Sequence, residues 1–158
     1  MRSAVTTMAV AVGLAGAACG DSLTFPELPS QLLADFCVQG TATVGETVQG
    51  TVSASDCDAA DARPGGVGYY DVWRVRVSEA QSVTFDADSP FDNYLTLLRL
   101  DSFTQTSADL TVVDENDDRA QGNLNALLSF TLQPDTDYFI AISGFDYDET
   151  GSYSLVIR

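Results

Sequence analysis

The run Asp114-Glu115-Asn116-Asp117-Asp118 sets four carboxylates in five consecutive positions. Charges of one sign packed that closely repel, so the chain gives up stability to keep them. Carboxylate and amide oxygens are what a hard cation takes as ligands, and calcium gathers about six to eight of them from irregular loops. Asp114, Asn116, Asp117 and Asp118 are therefore the candidate calcium ligands. Asp114, Asn116 and Asp118 fall on the first, third and fifth positions of an EF-hand loop. Its sixth position requires glycine and holds Arg119, and its twelfth requires glutamate and holds Asn125, so that motif is rejected. The alternative is a solvated hairpin turn whose charge Arg119 partly offsets. Two more acidic stretches are DADSPFDN, with Asp86, Asp88 and Asp92, and FDYDET, with Asp146, Asp148 and Glu149. They add oxygens if the fold brings all three loops to one end.

The same inventory leaves little for bond-breaking. There is no histidine, so a serine or cysteine nucleophile lacks its usual base and zinc lacks its commonest ligand. No GxSxG occurs. Pro64-Gly65-Gly66-Val67-Gly68 leads into a strand pattern, not a helix, and is not a phosphate loop. A carboxylate-based glycoside hydrolase is the one enzymatic alternative, but with 23 acidic residues a suitable pair arises by chance. No catalytic residue is assigned, and no cofactor beyond calcium is implied. The formal net charge is -16, and all seven basic residues are arginine. Nucleic acid is excluded as a partner, because phosphate binding needs a basic footprint. Neutral or basic polymers are compatible with this surface.

The elements that must position these acids follow from spacing. Aspartate outnumbers glutamate 18 to 5, which favours turns over helices. TVQGTVS, YYDVWRVRV, SVTFDA, NYLTLLRL, ALLSFTL, DYFIAIS and YSLVIR all alternate with period two, the mark of half-buried strands. Val44-Gly45-Glu46, Arg63-Pro64-Gly65-Gly66, Asp88-Ser89-Pro90, Gln133-Pro134-Asp135 and Thr150-Gly151-Ser152 punctuate them. Roughly eight strands without helical periodicity make an all-β, single antiparallel sandwich or barrel. The one helix expected is a turn through SQLLADF, capped by Ser30. Asp71 shares parity with Trp73 and Val75 and so points inward, where a carboxylate needs hydrogen bonds or a cation.

Residues 1–18 read as a secretory signal: Arg2, then an apolar run from Ala4 to Ala18 that is too short to span a membrane. Cys19-Gly20-Asp21-Ser22 follows. Small residues ending in cysteine resemble a bacterial lipoprotein signal, in which Cys19 becomes the lipid anchor, followed by a linker to residue 36. Gly16 stands where that signal usually has leucine, and Ala15-Gly16-Ala17 also fits ordinary cleavage. Cys37 and Cys57 then remain as an even pair in an exported, oxidising setting. A bridge between them contributes about 3 kcal/mol through loop closure.

YYDVWRVRV, FDNYLTLL, DENDD, SFTLQPDTDYFIAIS and GSYSLVI, in that order, resemble the bacterial pre-peptidase C-terminal domain over roughly residues 40–158. The resemblance implies a jelly-roll-like β-sandwich, here residues 37–158, of the kind appended to secreted peptidases. It is also similar to the collagen-binding domains of clostridial collagenases, some of which bind calcium. Asp71, Asp92, Asp117 and Asp118 match acids of the family motif. No peptidase accompanies the domain in this chain. The expectation is a non-catalytic exported lipoprotein domain, anchored at the bacterial envelope through its lipid or else free in the periplasm or outside. It would bind a surface protein or polysaccharide. The alternative is an envelope assembly subunit working through protein contacts.

Overall fold

The structure, a computed structural model, describes residues 27–58, 68–147 and 149–158. The signal segment 1–18, Cys19, the tether up to residue 26, the Arg63-Pro64-Gly65-Gly66 turn and Asp148 lie outside the described residues. Within these, one helix, α1 (Ser30–Asp35), precedes ten strands: β1 (Val38–Ala42), β2 (Thr47–Val52), β3 (Cys57–Asp58), β4 (Tyr69–Val75), β5 (Gln81–Asp88), β6 (Asn93–Phe103), β7 (Ala108–Asn116), β8 (Leu127–Leu132), β9 (Tyr138–Gly144) and β10 (Gly151–Ile157). They form two layers. One has the order β1-β4-β9-β6-β7, with β3 also paired to β4, and the other runs β2-β10-β5-β8.

The seven alternating runs become strands as expected, and β1, β3 and β7 raise the number above eight. β7 hides in the sequence because Val112 and Val113 are adjacent apolar residues. The register against β6 shifts there, from Leu98↔Val112 to Leu97↔Asp114, so Val113 is an extra residue in a bulge and breaks the alternation. The pairing is antiparallel except for β1, which runs parallel to β4. β1 and β2 are consecutive but belong to different sheets, the chain turning the corner through Val44-Gly45-Glu46.

Phe85, Leu95, Leu97, Ile140, Ile142, Leu155 and Ile157 meet between the layers, fully buried, and Trp73 packs against them. Each such side chain contributes about 1.5–3 kcal/mol through burial. The outer face of the larger sheet is apolar too. Tyr70, Val72, Phe139 and Ala141 form a second cluster there with Leu28. Residues 27–36, read as linker, thus lay Leu28 and Leu32 against the sheet. Ser30 is the first residue of α1 rather than its cap, and Pro29 holds the cap position without a side-chain bond. Directly after α1, Cys37 is joined to Cys57 in a disulfide with Cα atoms 5.8 Å apart, which ties the helix end to β3.

Asp71 is buried, as its parity requires, and it is held mainly by side chains. The Tyr153 hydroxyl donates to Oδ2 (2.9 Å) and Gln39 Nε2 donates to Oδ1 (2.7 Å), while Trp73 Nε1–H donates to the Tyr153 oxygen (2.8 Å). Tyr153 stands on β10 and Asp71 on β4, so this chain of bonds bolts one layer to the other. Gly50 lies opposite Tyr153 in the β2–β10 register, where a Cβ would come 2.3 Å from the Tyr153 hydroxyl. Only glycine admits the tyrosine. Burial pushes the Asp71 carboxyl up to about 6, with the Tyr153 and Gln39 hydrogen bonds pulling the other way. The neutral form is favoured by folding, so this group's contribution is complete below pH 3.8 and is lost as pH rises through about 6.

Two outcomes are expected. Gly50→Ala lowers unfolding stability in urea by about 1–3 kcal/mol through overpacking against Tyr153. Asp71→Asn gains stability relative to wild type as pH rises from 4 to 7, by about 2–3 kcal/mol in total. Paired urea titrations across that range check it, and a difference that does not change with pH contradicts the titration of Asp71.

Candidate functional site

The β5–β6 turn is fixed from within. Asn93 is fully buried at the start of β6. Its Nδ2 donates to Ser89 Oγ (2.8 Å) and Asn125 Oδ1 (2.6 Å), and its Oδ1 accepts from the Ala126 N–H (2.8 Å). Both N–H donors and the carbonyl oxygen of this buried amide are bonded, which locks the turn to the loop ahead of β8 and sets the position of Asp92. The β9–β10 loop is then tied to Asp92 from the other side. Phe145 N–H donates to the Asp92 carbonyl (2.8 Å), and Asp92 N–H donates to Glu149 Oε1 (3.3 Å). Glu149 Oε2 accepts from Asp146 N–H (3.0 Å). Gly144 lets this loop fold back so tightly, since a Cβ there would lie 2.5 Å from Glu149 Cβ.

The Asp114–Asp118 run is not wholly a loop. Asp114, Glu115 and Asn116 complete β7, and only Asp117 and Asp118 enter the turn. Asn116 Nδ2 donates to the Leu127 carbonyl (2.8 Å) and its Oδ1 accepts from Asp118 N–H (3.1 Å). Asp117 Oδ1 also accepts from Asp118 N–H (2.8 Å), and Asp114 Oδ1 from Glu115 N–H (3.0 Å). Arg119 does not serve these acids. Its guanidinium bonds Asp86 and the Ala87 carbonyl (2.7 Å), and Arg158 joins Asp86 from the other side (2.7 Å). Asp88 accepts from Asn125 Nδ2 (2.9 Å). Of the acids in DADSPFDN, then, only Asp92 has no side-chain hydrogen bond among the described residues.

The three acidic stretches do meet around that residue. Burial pushes the Asp92 carboxyl up, and the charges of Glu149, Asp118, Asp117 and Asp146 push it further. Asp92 Oδ1 is a buried oxygen with no hydrogen-bond partner among the described residues. As they stand, no three acidic side chains among the described residues lie close enough together to hold an ion. Asp71 belongs elsewhere, to the bolt between the layers.

Sequence reasoning missed the aromatic rim of this end. Phe145 and Tyr147 are 45% and 48% exposed, and Leu124 is 54% exposed. Tyr94 lies 6.3 Å from Phe145 and Tyr69 lies 6.1 Å from Tyr147, ring centre to ring centre. The signal was present in FDYDET, where aromatic and acidic residues alternate. It was read for its acids alone.

No sequence profile of a known protein family matches the chain, and no curated protein matches it in sequence. Solved structures do resemble it. The pre-peptidase C-terminal domain of a Bacillus anthracis collagenase aligns with 75% of this chain and 93% of its own, at 16% identity and a TM-score of 0.51. CorA, a surface-associated copper-binding protein of Methylomicrobium album BG8, aligns with 77% of this chain and 98% of its own, at 11% identity and a TM-score of 0.52. PliG of Aeromonas hydrophila, a periplasmic inhibitor of g-type lysozyme, aligns at 10% identity over 77% of this chain and 99% of its own, with a TM-score of 0.46. At 16% and 11% identity what the collagenase domain and CorA share with this chain is the fold alone, a two-layered sandwich like that of a pre-peptidase C-terminal domain.

Proposed function

We propose that this chain is a non-catalytic binding module of the bacterial cell envelope, which grips a surface polysaccharide or protein with the acidic, aromatic-rimmed end of its sandwich. One observation carries the reading: Phe145 and Tyr147 stand exposed beside the carboxylates that converge on Asp92. Rigid aromatic faces give contact area at small entropic cost, and carboxylates accept hydrogen bonds from hydroxyl and ammonium donors. Neutral sugar polymers and basic protein segments suit a chain of net charge -16, and nucleic acid does not. A disulfide fits an oxidising, exported compartment. Lipidation at Cys19 would hold the domain at the envelope, and its only membrane contact would be that lipid.

Calcium would have a structural part here. The donors are all oxygens, the set it takes, and Asp92 Oδ1 is a buried acceptor in want of a partner. Asp92, Asp117 and Asp118, with Asp114 and Asn116 of β7, would be the ion's ligands, and their side chains would have to draw closer together than they stand to hold it. The ion would supply neutralising charge, relieving the repulsion among the loops.

Millimolar calcium is expected to raise the melting temperature at pH 7, because a ligand bound only by the native state stabilises it. Asp92→Asn raises the calcium-free melting temperature, since it removes a carboxylate that folding disfavours in its charged form, and it abolishes the calcium shift. Melts that ignore calcium dispose of the cation. Separately, Phe145→Ala combined with Tyr147→Ala weakens retention on an immobilised panel of envelope polysaccharides and surface proteins by about tenfold, or roughly 1.4 kcal/mol, with the melting temperature unchanged. Undiminished retention places the gripping face elsewhere.

A further inference from the structure

The outer face of the larger sheet contains a cavity that plays no part in the acidic end. Its volume is about 320 Å³, and its floor is laid by Val72 of β4, Ala141 of β9, Leu98 of β6 and Leu110 of β7, with Leu32 and Phe36 of the α1 segment as one wall. That volume is about twice the ~150 Å³ apolar cavity that stays dry and takes up benzene, and it falls in the ~300–1,000 Å³ range of small-molecule sites. The floor crosses four adjacent strands, a span of about 14 Å, longer than a single ring and suited to an extended hydrocarbon chain.

The polar groups at the cavity bear on what enters it. Thr96 and Ser143 line it, and both already have partners in the protein. No basic side chain among the described residues lines it. The one ionisable group lining it among the described residues is Tyr70, whose hydroxyl pKa is pushed up by burial first and by the negative charge of Asp58 second. An anionic head would therefore find no counter-charge among the described residues and would face a chain of net charge -16.

The wall is held in place by the covalent frame. α1 spans only six residues, too few for stability alone, and the Cys37–Cys57 disulfide anchors its C-terminal end to β3 beside β4. The helix end beside the cavity is thus fixed covalently to the sheet it faces.

We propose that this cavity is a binding site for an alkyl chain bearing an uncharged or cationic head, held between α1 and the outer face of β4, β9, β6 and β7. The test uses the purified 158-residue chain with its disulfide intact, titrated with 1-decanol, decyltrimethylammonium and decanoate below their aggregation concentrations. Calorimetry and thermal melts provide the readouts. Saturable one-to-one binding of the first two, with decanoate at least about tenfold weaker, is expected. Ala141→Phe fills the middle of the floor and should abolish binding while the protein still melts cooperatively. Ala108→Phe, at the edge-strand end of the cavity, provides the same block at a less buried position should Ala141→Phe fail to fold. Absence of saturable binding overturns the proposal. So does binding that survives both variants, or a concentration-dependent dimer that either variant dissolves, since the occupant would then be a second copy of the chain.

Discussion

Water is shut out between the two layers at Phe85, Leu97, Ile140 and Leu155, each with no exposed surface, and charge cannot follow the chain into that space without a partner. With 23 acidic side chains and seven arginines to place, nearly all of the excess must go to edges and turns. Asp71, the most deeply buried carboxylate among the described residues, is met by Tyr153, Gln39 and the backbone of Thr51. The crowding of acids around Asp92 is the complement of a dry interior. The β5–β6, β7–β8 and β9–β10 connections end close together, and each brings its charge with it.

The larger sheet differs from the smaller in being apolar on both faces. β9 is buried along its whole length, which a strand open to solvent on one side would not be. Leu98 and Leu100 continue this second apolar surface on β6, and α1 covers only part of it. The helix is therefore a component of the domain and not a spacer before it. Its position depends on Cys37, a residue with positive φ that ends the helix and starts the run into β1.

How much of this was legible depended on whether local spacing carried the information. Val83-Phe85-Ala87 and Tyr138-Ile140-Ile142 stated their inward faces plainly, and Asp71 declared itself by parity with Trp73. β7 did not, because the bulge at Val113 spoils the alternation and its last residues are acidic. Asp114 and Asn116 consequently looked like loop. The two-faced character of β6 was visible as Leu95, Leu97, Leu98 and Leu100 in one strand, but nothing local told that α1 would cover the second face. The meeting of three acidic loops is a long-range fact of topology, set by β6 lying between β9 and β7. The role of Asn93 was hidden as well, since its partners Ser89, Asn125 and Ala126 are brought together only by folding.

The disulfide also determines how the domain carries load. A pull applied at Glu27 travels through α1 to Cys37 and crosses directly to Cys57, which pairs with Tyr70 of β4 next to the centre of the larger sheet. β1 and β2, the two strands between the cysteines, sit on a closed covalent loop and bear none of that tension. Drawn from its N-terminal side, the sandwich resists as a whole layer and does not peel strand by strand from its edge.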